Sequence, residues 1–325
     1  MLSLLALVVA APLVVVGSGD IDGTSTTISA ITLDGVGVAR CTLTHQRGMV
    51  PPGTLIDADH VALTLSEGSS RAGAVVVVDL QTCAVRELVD EVIANQAPVV
   101  VDGGVVVVRQ LDADRAGATF DVVTVPLSGG PAEVLASRQA LWVTPARGAR
   151  TTSELRFLIG EGAGANDGHF HIDRIEDGDF ALELDLGKGV FRSPVVVGRD
   201  LLVEVEHGKG AVLRDHQGRD VAAGLPGLSP VRAPGGDTLA TSSGRKDGTI
   251  NVNGIEHGTG RAGIARPQAT GAGVVVVWLD RGASLPGELW AIDAQKKKSP
   301  TRSTRLLPPQ ARTAVMVYGI TGGAR

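Results

Sequence analysis

The sequence predicts an all-β fold made of one repeated unit, and three observations predict it. Valine comes in runs, at residues 75–78, 105–108 and 274–277. β-Branched side chains lose rotamer freedom in a helix but pack well on a pleated surface, so such runs favour strands. Glycine and proline are frequent, 43 and 16 among 325 residues, and supply repeated chain reversals. Finally, the order apolar strand, glycine-bearing polar turn, strand, short turn, strand recurs along the chain.

The copies can be taken in order. The first runs through strands at 61–65, 74–80 and 84–89, and the second through 105–111, 120–126 and 132–135. The third has 155–159, 169–175 and 180–186; the fourth has 201–205, 211–215 and a short return through Val221. The fifth has 238–241, 249–252 and a weak return, and the sixth has 274–279, 288–293 and 302–307. Leading strands are thus spaced by roughly 36 to 50 residues, close to the blade length of a β-propeller. A seventh leading strand, 314–317, has almost no chain after it, while 27–33 and 36–43 offer strands at the other end. The expectation is a β-propeller of seven four-stranded blades, closed by residues 27–43 joining 314–317; six or eight blades fit the same spacing. Closure would protect edges otherwise free to aggregate. One stretch argues for helix: Val85, Leu88, Val89, Val92 and Ile93 follow a 3.6-residue period, predicting a short helix at about 87–95.

Residues 2–16 are charge-free and mostly apolar, a length that suits a secretory segment and is short for a membrane span. No Lys or Arg precedes them, so either the start lies upstream or the signal is atypical; a buried first strand is the other reading. The expected division is a leader at 1–19 and one propeller domain at 20–325, no low-complexity linker separating further parts. The formal net charge of −5 gives no reason to expect nucleic acid or an anionic membrane as partner. The basic run Lys296, Lys297, Lys298 reads as a solvated loop. Cys41 and Cys83 could pair in an oxidising compartment, but nothing in the sequence brings them within bridging distance.

Residues 230–240 read Pro-Val-Arg-Ala-Pro-Gly-Gly-Asp-Thr-Leu-Ala, with a fainter echo at Ser193-Pro194 and Gly198-Arg199-Asp200. The chain resembles TolB-type β-propellers, whose blades carry Pro, an aromatic residue, Ser-Pro-Asp-Gly and a hydrophobic strand. Pro234, Gly236 and the strand are kept; Arg232, Ala233 and Gly235 depart from the pattern. The resemblance implies a propeller across most of the chain. It does not extend to the extra N-terminal domain of TolB, so that protein's partners are not carried over.

Several local patterns bear on chemistry. Alternation puts His169, His171 and Asp173 on one strand face, where they could ligate a metal; an exposed polar face is the simpler reading. Asp112, Asp114 and Asp121, and separately the 176–179 turn, look superficially like calcium loops but lack a full ligand set. Ser243 and Lys246 match S-x-x-K but fall in a turn rather than at a helix start. The run 160–164 is glycine-rich but leads to another strand, not to a phosphate-binding helix N-terminus. No catalytic, cofactor or metal site is therefore assigned. The expectation is a monomeric, non-catalytic binding or scaffold protein of the bacterial cell envelope, periplasmic or secreted, holding a protein or peptide on a propeller face. With 3% aromatic residues, a carbohydrate-stacking groove is disfavoured. The alternative is a metal-dependent hydrolase or lactonase with its site in the central channel.

Overall fold

In the computed structural model, residues 11–21, 23–45, 50–66, 72–111, 118–161, 168–197, 200–207, 209–232, 238–282, 285–295, 303–310 and 313–321 are described. Twenty-eight strands are found among them, with a single 3-10 turn at Thr152–Glu154. In chain order the first three are β1 (Leu13–Asp20), β2 (Ser25–Thr32) and β3 (Gly37–Thr44). Next come β4 (Gly53–Leu55), β5 (His60–Ser66), β6 (Ala72–Asp79) and β7 (Val85–Ile93). They are followed by β8 (Val99–Val101), β9 (Gly104–Gln110), β10 (Ala118–Pro126) and β11 (Glu133–Ala140). Then come β12 (Trp142–Pro145), β13 (Arg156–Glu161), β14 (His169–Glu176) and β15 (Asp179–Lys188). The next run is β16 (Val190–Val197), β17 (Asp200–His207), β18 (Gly210–Asp215) and β19 (Asp220–Gly224). After it are β20 (Val231–Arg232), β21 (Leu239–Ser242), β22 (Thr249–Val252) and β23 (Ile255–Gly258). The last five are β24 (Ile264–Gly271), β25 (Val274–Asp280), β26 (Gly287–Asp293), β27 (Ser303–Gln310) and β28 (Thr313–Ile320).

Every pairing between these strands is antiparallel, and it groups them in consecutive runs of four. The runs β4–β7 and β8–β11 are linked into one eight-stranded sheet by the pairing of Val92 with Arg109. In the closing sheet the order is β28-β1-β2-β3, so a strand from late in the chain pairs with the first one. β28 also packs between β24 and β4, the leading strands of the runs on either side. The architecture is a β-propeller.

The valine runs have a direct structural cause. A blade is covered on both faces by its neighbours, so both sets of alternating side chains are buried and a strand reads as continuously apolar. In β9, Val106 and Val108 pack into the cluster with Phe120, Val143 and Phe157, while Val105 and Val107 face Ala62 and Val75. In β1, Val15 joins Ile28, Leu63 and Val78, and Val14 and Val16 join Val276 and Leu289. Each buried cluster bridges two neighbouring runs, and those at β1 tie the first strands to both flanks.

Two expectations change. Closure does join the two ends of the chain, but β28 pairs with β1, from Val14–Ile320 to Asp20–Thr313, and not with residues 27–43, which form β2 and β3 further out. The stretch read as a leader therefore overlaps the fold: residues 13–19 belong to β1, while residues 1–10 lie outside the described residues. The helix expected at about 87–95 is instead the second half of β7. Register shifts against β6, around Val75, and a left-handed Glu91 (φ 56°) insert extra residues. Such bulges shift the apolar spacing away from two, which produces a helix-like pattern in an extended strand.

Cys41 of β3 and Cys83, in the turn between β6 and β7, form a disulfide with Cα atoms 5.4 Å apart. It ties the closing sheet to the β4–β7 blade. Tyr318 of β28 sits in the same seam, and its hydroxyl donates to the Pro51 carbonyl at 3.2 Å. A Cβ on Gly17 would collide with the Tyr318 ring, so that position needs a residue without one. No described helix is long and apolar enough to cross a membrane.

Candidate functional site

His169, His171 and Asp173 do share one face of β14, as alternation predicts, and the two rings lie 6.3 Å apart between centroids. Their environments differ. His169 is half-exposed and pairs with Asp185 of β15 at 2.8 Å. His171 and Asp173 are buried, and His171 Nε2 lies 3.3 Å from Asp173 Oδ1 without hydrogen-bond alignment.

The positive charge of this cluster comes from a residue the sequence did not single out. Arg138, on the outermost strand β11 of the preceding run, reaches across the seam. Its Nη1 donates to Asp173 Oδ2 at 2.6 Å and its Nη2 to Glu161 Oε1 at 2.5 Å. The hydrogen bond from Arg138 holds the Glu161 carboxyl below the usual carboxylate range. A buried carboxylate needs such a partner, and here the guanidinium bridges Asp173 and Glu161. Among the described residues, no group of three or more His, Cys, Asp or Glu side chains is arranged to hold a metal ion.

The other sequence candidates resolve locally. Asp112 and Asp114 lie outside the described residues, and Asp121 accepts from the Ser137 hydroxyl at 2.6 Å. The 176–179 stretch is a tight β14–β15 turn with Asp177 and Gly178 at positive φ, and Glu176 pairs with Arg174. The Ser243 hydroxyl donates to the Thr249 carbonyl within the β21–β22 loop that also holds Lys246. Gly160 ends in β13, and residues 162–164 lie outside the described residues. So do Lys296, Lys297, Lys298 and the 233–237 part of the propeller motif.

A second polar region was not anticipated. Between β19 and the β20–β23 sheet lies a cleft of about 290 Å³. One wall is Val221, Ala222 and Ala223; the other includes Thr241, Asn251, Asn253 and Glu256. Arg245 also lines it, its Nη2 2.9 Å from Glu256 and its Nε 3.2 Å from Asp247. The Glu256 bond first, then the charges of Asp247 and Glu256, raise the Arg245 pKa, and the guanidinium stays charged. The signal was present in sequence as the alternation Thr249-Ile250-Asn251-Val252, polar on one face of β22.

No protein-family model matches the sequence, and no curated relative is detected. Solved structures do match. A puromycin hydrolase (S511A mutant complexed with PGG) superposes over 98% of this chain with a TM-score of 0.60 at 12% identity, and this chain spans 52% of its length. Oligogalacturonate lyase in complex with manganese aligns over 76% of this chain and 78% of its own, with a TM-score of 0.53 at 15% identity. TolB from Acinetobacter baumannii gives a TM-score of 0.46 at 11% identity over 94% of this chain, too loose to carry an argument. Likeness at this identity establishes the fold alone. The chain is a propeller in their company.

Proposed function

We propose that the protein is a non-catalytic seven-bladed propeller of the bacterial cell envelope that holds a protein or peptide partner on one rim. The observation that carries the reading is where apolar side chains remain exposed. Of the thirteen exposed large apolar side chains among the described residues, six share one rim: Ile21, Leu111, Leu141, Trp142, Leu225 and Leu285, each 40–50% exposed. All six lie at the rim where the second strand of each run ends and the next run begins. Trp142 opens the leading strand β12, and exposed apolar groups gathered on one face favour a partner. In the His169–His171–Asp173 cluster, Arg138 bridges the buried Asp173 to Glu161.

The Cys41–Cys83 bond supports an oxidising compartment, periplasmic or secreted. A leader, if removed, would have to end before Leu13, because β1 carries the closure. Trp142→Glu with Leu141→Glu tests the rim, against Val134→Glu on the outer strand β11 as control. Loss of envelope-fraction crosslinks in the rim variant alone supports the reading; a defined turnover of a purified substrate overturns it. Metal analysis of the purified protein, with His171→Ala as control, addresses the alternative of a hydrolase or lactonase.

A further inference from the structure

Among the described residues, six of the seven seams hold large buried clusters, mainly of Val, Leu, Ile and Phe. Between the β16–β19 and β20–β23 sheets the buried cluster shrinks to Leu202, Ala211, Leu213 and Leu228, flanked by Ala222 and Leu239. The cause is readable strand by strand. Ala240, Ile250 and Val252 turn to the β24–β27 sheet. Alternation therefore turns Leu239, Thr241 and Asn251 toward β19, while Asn253, in the β22–β23 turn at φ 50°, accepts from the Leu239 N–H. Across from them Ala222 is registered opposite Leu213, so only a methyl group projects where a larger side chain would fill the seam.

Here a solvent-open cleft of about 290 Å³ is left between two blades, and its lining residues Val221, Arg245 and Glu256 are exposed. Its size falls near the lower end of the range for small-molecule sites, about 300–1,000 Å³. Its chemistry is two-sided. Val221, Ala222 and Ala223 line the β19 side, and Leu239, Thr241, Ser243, Asn251, Arg245 and Glu256 line the other. The Asn251 Oδ1 accepts from the Gly254 N–H at 2.7 Å, which leaves its amide N–H groups as donors. Arg245 pairs with Glu256 and Asp247, which leaves one negative charge in excess, so the cleft does not select an anion.

We infer that this cleft binds a small, uncharged, polyhydroxylated molecule of the size of a single sugar ring. The C–H face of the ring would lie on the alanine wall. Its hydroxyls would exchange hydrogen bonds with Thr241, Asn251, Arg245 and Glu256. No aromatic residue lines the cleft, so hydrogen bonds rather than ring stacking hold the ligand, and the affinity is weak, on the order of millimolar.

Saturation-transfer NMR on the full chain tests this with glucose, galactose and N-acetylglucosamine as neutral probes and galacturonate and glutamate as anionic ones. The expected result is transfer to at least one neutral sugar, reduced at least tenfold by Ala222→Leu, which fills the cleft. Thr241→Val keeps the shape, removes a hydroxyl and should weaken the same signal. It decides the matter if Ala222→Leu fails to fold. Absence of transfer to every neutral sugar, transfer that survives both substitutions, or a preference for the anions each overturns the proposal.

Discussion

Arg138 shows how one side chain settles the character of a cluster. Asp173 is fully buried, and removal of its guanidinium partner would leave a carboxylate stranded in a dry seam. Arg138→Met is expected to cost about 3 kcal/mol at neutral pH, read from urea unfolding. The pH dependence has a definite sign. Glu161 has a lowered carboxyl pKa when folded, so its contribution is present above the unfolded value and lost as pH falls through the folded one. The variant loses that contribution. The difference between wild type and variant should therefore be largest at pH 7 and shrink toward pH 4; a constant difference would contradict it. The histidines and Asp173 were legible because alternation within one strand is a local property. Arg138 was not, since it lies 35 residues from Asp173 and meets it only through blade packing.

At the scale of elements, the short blade β20–β23 depends on a latch. Glu204 of β17 is buried, and its carboxylate accepts from the backbone N–H groups of Gly227, Leu228 and Ser229 at 2.6, 3.0 and 3.3 Å. These groups belong to the link between β19 and β20, where Ser229 is held at φ 46°. Glu204→Ala would leave buried donors unsatisfied and should cost about 3 kcal/mol, with Glu204→Gln costing less because one acceptor oxygen remains. Urea midpoints of the two variants check the order. The long blades were readable in sequence because burial on both faces writes valine at every position. β20 and β21, of two and four residues, carry too little pattern to mark their ends. β1 was hidden for the opposite reason: a strand buried on both faces and an export segment share one composition.

The whole molecule is held by seams and by a closure that crosses the entire chain. Reducing the Cys41–Cys83 bond, whose sequence separation is 42, should lower stability by about 4 kcal/mol on loop-entropy grounds. Thermal unfolding with and without dithiothreitol measures it, and Cys41→Ala with Cys83→Ala should match the reduced protein. Tyr318 closes the same seam from β28, and burial pushes its phenol pKa well above the ordinary range. Tyr318→Ala is expected to cost about 3–5 kcal/mol, as for other large buried rings, with Tyr318→Phe costing about 1 kcal/mol.

The pairing of β1 with β28 also sets a clock. Leu13 meets Thr321 across 308 positions of sequence. At about 5–20 residues per second, a ribosome needs about 15 to 60 s to deliver the second partner after the first. Throughout that interval Val14, Val15 and Val16 present an apolar strand with one open edge. A nascent chain arrested just short of Thr313 should be bound by holdases and cleaved readily by protease, and release of the remaining residues should abolish both.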